Sequence, residues 1–248
     1  MTYCVGVLLD SGLVMASDSR TNAGVDHVSL FPKMRVFEAA GERIIILMTS
    51  GNLAVSQHVI NLLERMIGEN IEPNLMTATS MFDAAQIVGQ AIRSVHHSDA
   101  ESLRRHHTEF LQSILLGGQI LGEQPRLFNI YAAGNFIEAC PQTPYFQIGE
   151  TKYGKPIIDR VVKNASSLEE VVKCTLISFD STIRSNLSVG LPIDLFVYPA
   201  DSFNCAGRHR ISEDDPYFTQ LSQRWSEGLR QVFAGLPSPP WENPDQAT

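Results

Sequence analysis

The sequence predicts an α+β protein built as a four-layer αββα sandwich, with two stacked, mostly antiparallel sheets and a helix pair on each outer face. Three observations predict it. Short apolar runs come first, two amphipathic helical stretches follow, and strands, two helices and a last strand then repeat the order. The early runs are joined by tight turn signals, as in antiparallel hairpins. The order also lacks the strict strand–helix alternation of a parallel doubly wound sheet.

The elements follow in chain order. Tyr3 to Leu9 and Leu13 to Ala16 read as a hairpin around Asp10-Ser11-Gly12. Met34 to Glu38 and Arg43 to Thr49 form a second pair, joined by residues 39–42. The run Ile44-Ile45-Ile46-Leu47-Met48 is apolar at every position, which suits a strand covered on both faces. From Asn52, Leu53, Val59, Ile60, Leu63, Met66 and Ile67 recur at helical spacing, with Ser50-Gly51-Asn52 as the cap. A longer stripe runs from Ala78 to about Arg105. Strands are predicted at Phe110 to Leu116, Arg126 to Ala133 and Tyr145 to Ile148, then helices at Tyr153–Lys163 and Ser167–Arg184. Ile193 to Tyr198 is the closing strand. Phe218, Leu221, Trp225, Leu229 and Val232 suggest a helix within Arg208 to Phe233, and a Pro-rich polar stretch follows. The predicted organisation is a sandwich domain over residues 1–205, a helical extension over 206–235 and a Pro-rich tail over 236–248.

The 248 residues carry a formal net charge of −8, and Lys and Arg form no dense patch, so no nucleic-acid partner is expected. No run of eighteen apolar residues and no signal-peptide pattern appears, so a cytoplasmic protein without a membrane span is expected. Cys4, Cys140, Cys174 and Cys205 are scattered and read as reduced thiols.

Thr2 follows the initiator methionine, and its small side chain suits methionine removal. A terminal threonine holds nucleophile and base on one unit, since an α-amine with a pKa of roughly 8 accepts the hydroxyl proton near neutrality. Threonine after methionine is common, so its neighbours decide the matter. Asp18 ends an apolar strand among small polar residues, and Lys33 follows a loop. A buried cation near Thr2 lowers the pKa of its hydroxyl and amine, and a carboxylate beside that cation aims it. Gly51 lies between a strand and a helix start, where a backbone N–H can meet a developing oxyanion. Each of these residues taken singly reads as an ordinary turn or surface feature.

Taken in order, Thr2-Tyr3-x-Val5, Ala16-Ser-Asp18-Ser-Arg20-x-x-x-Gly24, Lys33 and Ser50-Gly51 resemble the β-type subunits of the proteasome. Ala16 to Gly24 and Arg184-Ser-Asn-Leu-Ser-Val-Gly-Leu-Pro-Ile-Asp194 look closest to the bacterial Anbu family, the ancestral β subunit. The resemblance covers about the first 200 residues. It implies the N-terminal-nucleophile hydrolase fold, cleavage of amides through an acyl-threonine and self-assembly into a ring or spiral, with peptides or unfolded proteins as substrate. It makes Thr2 the nucleophile with its own amine as base, Lys33 the cation, Asp18 its partner, Gly51 the oxyanion donor and Ser188 a supporting hydroxyl. Two positions depart from the proteasome pattern: Glu150 stands where a supporting serine is usual, and Ser185 where an aspartate is. A carboxylate at position 150 changes the field around the Thr2 amine and raises its pKa.

Competing motifs are weak. Gly149 to Lys155 fits GxxxxGK, but Pro156 removes the hydroxyl and N–H that a phosphate loop needs, and reads better as a helix start. His96-His97 and His106-His107 lack metal-ligand spacing, so no metal or organic cofactor is expected. Any ATP-driven unfolding would come from a separate protein. The alternatives are a non-catalytic assembly subunit on the same fold, or an amidase for non-peptide substrates. The first strand begins at Tyr3 and leaves no room for the helical extension of proteasome α-type chains, which favours the β-type reading.

Overall fold

The computed structural model describes residues 2–22, 28–105 and 110–239. Residues through Glu213 form one compact unit and those from Asp214 a second. In the first unit, β1 (Tyr3–Leu9), β2 (Gly12–Asp18), β10 (Tyr145–Gly149), β11 (Ile193–Pro199) and β12 (Arg208–Ile211) make one antiparallel sheet in the order β10-β1-β2-β11-β12. A second sheet runs β5 (Met34–Ala39), β6 (Arg43–Gly51), β7 (Gln112–Ile120), β8 (Arg126–Tyr131) and β9 (Phe136–Glu138), again antiparallel. A short ribbon pairs β3 (Arg20–Asn22) with β4 (Val28–Leu30). Helices α1 (Leu53–Gly68) and α2 (Met81–Arg105) cover the second sheet, while α3 (Lys155–Val161) and α4 (Leu168–Ser185) lie on the side of the first. The protein is therefore the four-layer αββα sandwich that the pattern predicts.

Side-chain alternation explains the layers. In β6, Ile45 and Leu47 point to α1 and α2 and pack with Val59, Leu63, Val88 and Phe128. Ile44, Ile46 and Met48 point the other way, into an inter-sheet core with Leu13, Met15, Leu115 and Phe196. The all-apolar run is thus a strand buried on both faces. Tyr3 points outward from the first sheet to α4, stacking on Phe179 at 4.6 Å and sharing a 2.9 Å hydrogen bond with Ser178. The strand predicted at Phe110 to Leu116 starts two residues later and continues through Gly117-Gly118. Gly117 belongs in the strand because the sheets approach closely there: a Cβ would meet the Met15 sulfur.

Caps set the helix starts. Asn52 accepts from the backbone N–H groups of Ala54 and Val55, and Ser167 and Glu170 form a reciprocal capping box on α4. Pro156 lies in the first turn of α3, and Lys155 is tied to Tyr145 and Asp159 on that surface, so this segment is no phosphate loop. The chain after Arg208 departs from the expected helix. Arg208–Ile211 pairs with β11, anchored by buried Ile211 opposite Ile193 and by Arg210 Nη1 on Asp194 at 2.7 Å. Helix α5 spans Pro216–Ala234, with Asp215 as its N-cap. The tail from Pro240 and the pair His106-His107 lie outside the described residues. All four cysteines are free thiols. Among the described residues no helix is long and apolar enough to cross a membrane.

Candidate active site

The site forms where β1 and β2, the lead-in to β5 and the β6–α1 junction meet. Thr2 immediately precedes β1, and with Thr21, Lys33, Ser50, Gly51 and Leu111 it lines a cavity of about 420 Å³. The hairpin register places Tyr3 one step beyond the Cys4–Ser17 pair, so the last residue of β2, Asp18, meets the start of the chain. The Tyr3 N–H donates to Asp18 Oδ1 at 3.0 Å. Lys33 reaches in from the loop before β5, its carbonyl tied to the Thr49 N–H at 3.1 Å. Its Nζ donates to Asp18 Oδ1 at 2.6 Å and to the Arg20 carbonyl at 2.6 Å. Asp18 is fully buried and Lys33 is 6 % exposed.

Burial pushes the Asp18 carboxyl above its ordinary range, and the Lys33 charge opposes that push. Desolvation also drives the Cys4 thiol well upward, which removes this neighbour of Lys33 and Asp18 as a competing nucleophile.

Gly51 ends β6 and Asn52 caps α1, so the cavity wall changes from strand to helix start at this point. Gly51 has φ +120°, and a Cβ there would collide with the Leu111 carbonyl. The turn is accessible to glycine alone. Gly51→Ala is expected to lower unfolding stability by more than about 1 kcal/mol, read by urea denaturation. A smaller cavity of about 270 Å³ shares Lys33, Thr49, Leu53 and Ser56 with the first and continues to Arg35 and Asn61.

Thr2, Lys33 and Gly51 thus line one cavity, and Asp18 stands directly behind Lys33. Ser188 is outside the lining; its N–H donates to Asn186 Oδ1 at 2.9 Å in the loop after α4. Ser185 is exposed at the end of α4. Glu150 is buried next to Thr2, its N–H on the Thr2 carbonyl at 2.6 Å. Sequence reasoning gave no site role to Thr21, Ser50 and Asn186, although each lies within a quoted motif, and it missed Ser56. Among the described residues no group of three metal-ligating side chains occurs.

Comparison with known proteins agrees with this fold. No protein-family model matches the sequence. A curated relative, proteasome subunit beta 1 of Korarchaeum cryptofilum (strain OPF8), is 24% identical over 218 residues, covering 86% of this chain and 94% of the relative. The solved structure of Anbu (ancestral beta-subunit) from Yersinia bercovieri is 51% identical, with a TM-score of 0.91 over 96% of this chain and 98% of that one. The structure described as the helical assembly of the Anbu complex from Pseudomonas aeruginosa is 48% identical, with a TM-score of 0.93 over 97% of this chain and 99% of that one. With identity near one half along almost the whole of both chains, the protein belongs to the Anbu family of proteasome-like β subunits.

Proposed function

We propose that the chain is a threonine-type peptidase subunit that cleaves peptide amides with Thr2 after removal of Met1. The observation that carries this reading is the buried Lys33–Asp18 pair at 2.6 Å beside a cavity that Thr2 and Gly51 also line. The Thr2 hydroxyl attacks the scissile carbonyl and its α-amine takes the proton, directly or through a water. Negative charge develops on the carbonyl oxygen near the Gly51 amide and the start of α1. Lys33, aimed by Asp18 and the Arg20 carbonyl, stabilises the ionised hydroxyl. The leaving amine departs with a proton, and water hydrolyses the ester, returning Thr2 to its starting state. The smaller cavity accommodates a substrate side chain beside the reacting bond.

Protonation of Asp18 would remove the partner that aims Lys33. Because burial raises the Asp18 pKa, its protonation adds a second ionisation above the ordinary aspartate range to the acid side of the rate–pH profile, beside that of the Thr2 amine. Asp18→Asn is expected to remove that second ionisation together with most of the rate, leaving the limb set by the amine.

Self-assembly belongs to the same proposal. The described assembly of the Pseudomonas aeruginosa relative supports it, and electron microscopy of the purified protein tests it. The proposed compartment is the cytoplasm, with a separate ATPase supplying any energy-driven unfolding. The chemical test is treatment with a peptide electrophile directed at terminal threonine, followed by mass spectrometry. An adduct confined to Thr2 supports the peptidase. Its absence from a chain that begins at Thr2 would favour a non-catalytic assembly subunit.

A further inference from the structure

The ladder between β1 and β10 ends in a carboxylate. Leu8 donates to the Pro144 carbonyl at 2.7 Å, Gly6 faces Phe146, Cys4 faces Ile148, and Glu150 then donates to the Thr2 carbonyl at 2.6 Å. Glu150 is therefore the residue directly across from Thr2, one place beyond the Tyr3–Gly149 pair. Glu150 is 5 % exposed, and among the described residues its carboxylate is held by neutral donors. These are Asn186 Nδ2 at 3.0 Å and the Lys152 N–H at 3.4 Å. Asn186 is fixed from its other end, since its Oδ1 accepts the Ser188 N–H at 2.9 Å. A buried carboxylate held by neutral groups is costly, and a nearby cation relieves that cost.

We infer that Glu150 is a positioning residue whose carboxylate, aimed by Asn186, is the counter-ion of the α-ammonium that loss of Met1 creates on Thr2. This rests on the reading of Thr2 as a terminal nucleophile. The charged groups around Thr2 are Asp18 of β2, which accepts the N–H of the next residue, Lys33 from the lead-in to β5, which lines the same cavity, and Glu150 after β10, whose N–H holds the Thr2 carbonyl. The end of α4 supplies the neutral Asn186 and Ser188, and the start of α1 supplies Leu53 and Ser56. Lys33 and Asp18 compensate each other, so Glu150 leaves one negative charge for the new ammonium. The amine then stays protonated to higher pH than an ordinary α-amine, and the base form of the site appears as pH rises.

The test uses full-length chain whose N-terminus is Thr2, prepared with methionine aminopeptidase and confirmed by intact mass. Trace acetylation of the α-amine across about pH 6 to 10, with the N-terminal peptide quantified by mass spectrometry, gives the amine midpoint without reference to turnover. The expected midpoint lies above about 8. Glu150→Gln is expected to lower proton affinity about tenfold or more, and Glu150→Asp to restore part of it. Equal midpoints in wild type and E150Q would overturn the inference. A second measurement needs no variant: comparison of the stability of processed and Met1-bearing wild type as a function of pH. A raised folded-state pKa gives the processed chain extra stability below the unfolded amine pKa, lost as pH rises through the folded value. No such gain near neutrality would also overturn it. An inert site with a raised, Glu150-dependent midpoint would sink the peptidase proposal and leave this inference standing.

Discussion

Thr2→Ala is expected to abolish amide hydrolysis while leaving the fold intact. Thr2 lies outside the apolar clusters that hold the sandwich together, at the edge of a cavity before β1. Loss of a hydroxyl there removes no buried packing, so the melting temperature should change little. Activity should fall by about 10⁴-fold or more, since the nucleophile works as a unit with its base and the remaining contacts only bind. Thr2→Ser keeps both hydroxyl and amine and should retain part of the rate. A fluorogenic peptide assay beside thermal melting separates these outcomes. Full activity in Thr2→Ala would rule out the acyl-threonine scheme.

Lys33→Ala is expected to fail in two ways at once. Lys33 donates to both Asp18 and the Arg20 carbonyl, so its removal strands a fully buried carboxylate. Breaking one side of a buried pair costs about 3–5 kcal/mol. The rate should also fall by about 10²- to 10⁴-fold, because the charge that stabilises the ionised hydroxyl is gone. The paired change Asp18→Asn with Lys33→Met separates the effects. It removes both charges, so much of the stability should return in urea denaturation while activity stays lost. Recovery of activity in the double variant would mean that Lys33 serves the fold alone.

The layer order was legible because strongly periodic segments carry it. The run from Ile44 to Met48 reads as a doubly buried strand, and its residues do alternate between the two cores. Elements of three or four residues were not legible. β3, β4, β9 and β12 are polar or short, and they exist because a neighbouring strand supplies a register. Arg208–Ile211 resembles a helix start until Arg210 is seen on Asp194 and Ile211 opposite Ile193. Gly117-Gly118 looks like a strand stop, yet the close approach of Met15 makes glycine the residue that fits.

The candidate site divides the same way. Thr2, Lys33 and Gly51 were readable through the resemblance of their ordered motifs to proteasome β-type subunits and meet at one cavity, with Asp18 behind Lys33. Asn186 could not be read, because its contacts to Glu150 and Ser188 depend on how α4 ends against the β1–β10 edge. Ser188 touches this network through its backbone N–H, which no side-chain pattern reveals.

The central claim is that the working residue is a free N-terminal threonine, and the intact mass of the protein purified from its native cells tests it most directly. A chain lighter by one methionine residue, beginning at Thr2, is the expected result. A mature protein that retains Met1 would keep the Thr2 nitrogen in a peptide bond, leave the mechanism without its base and contradict the account.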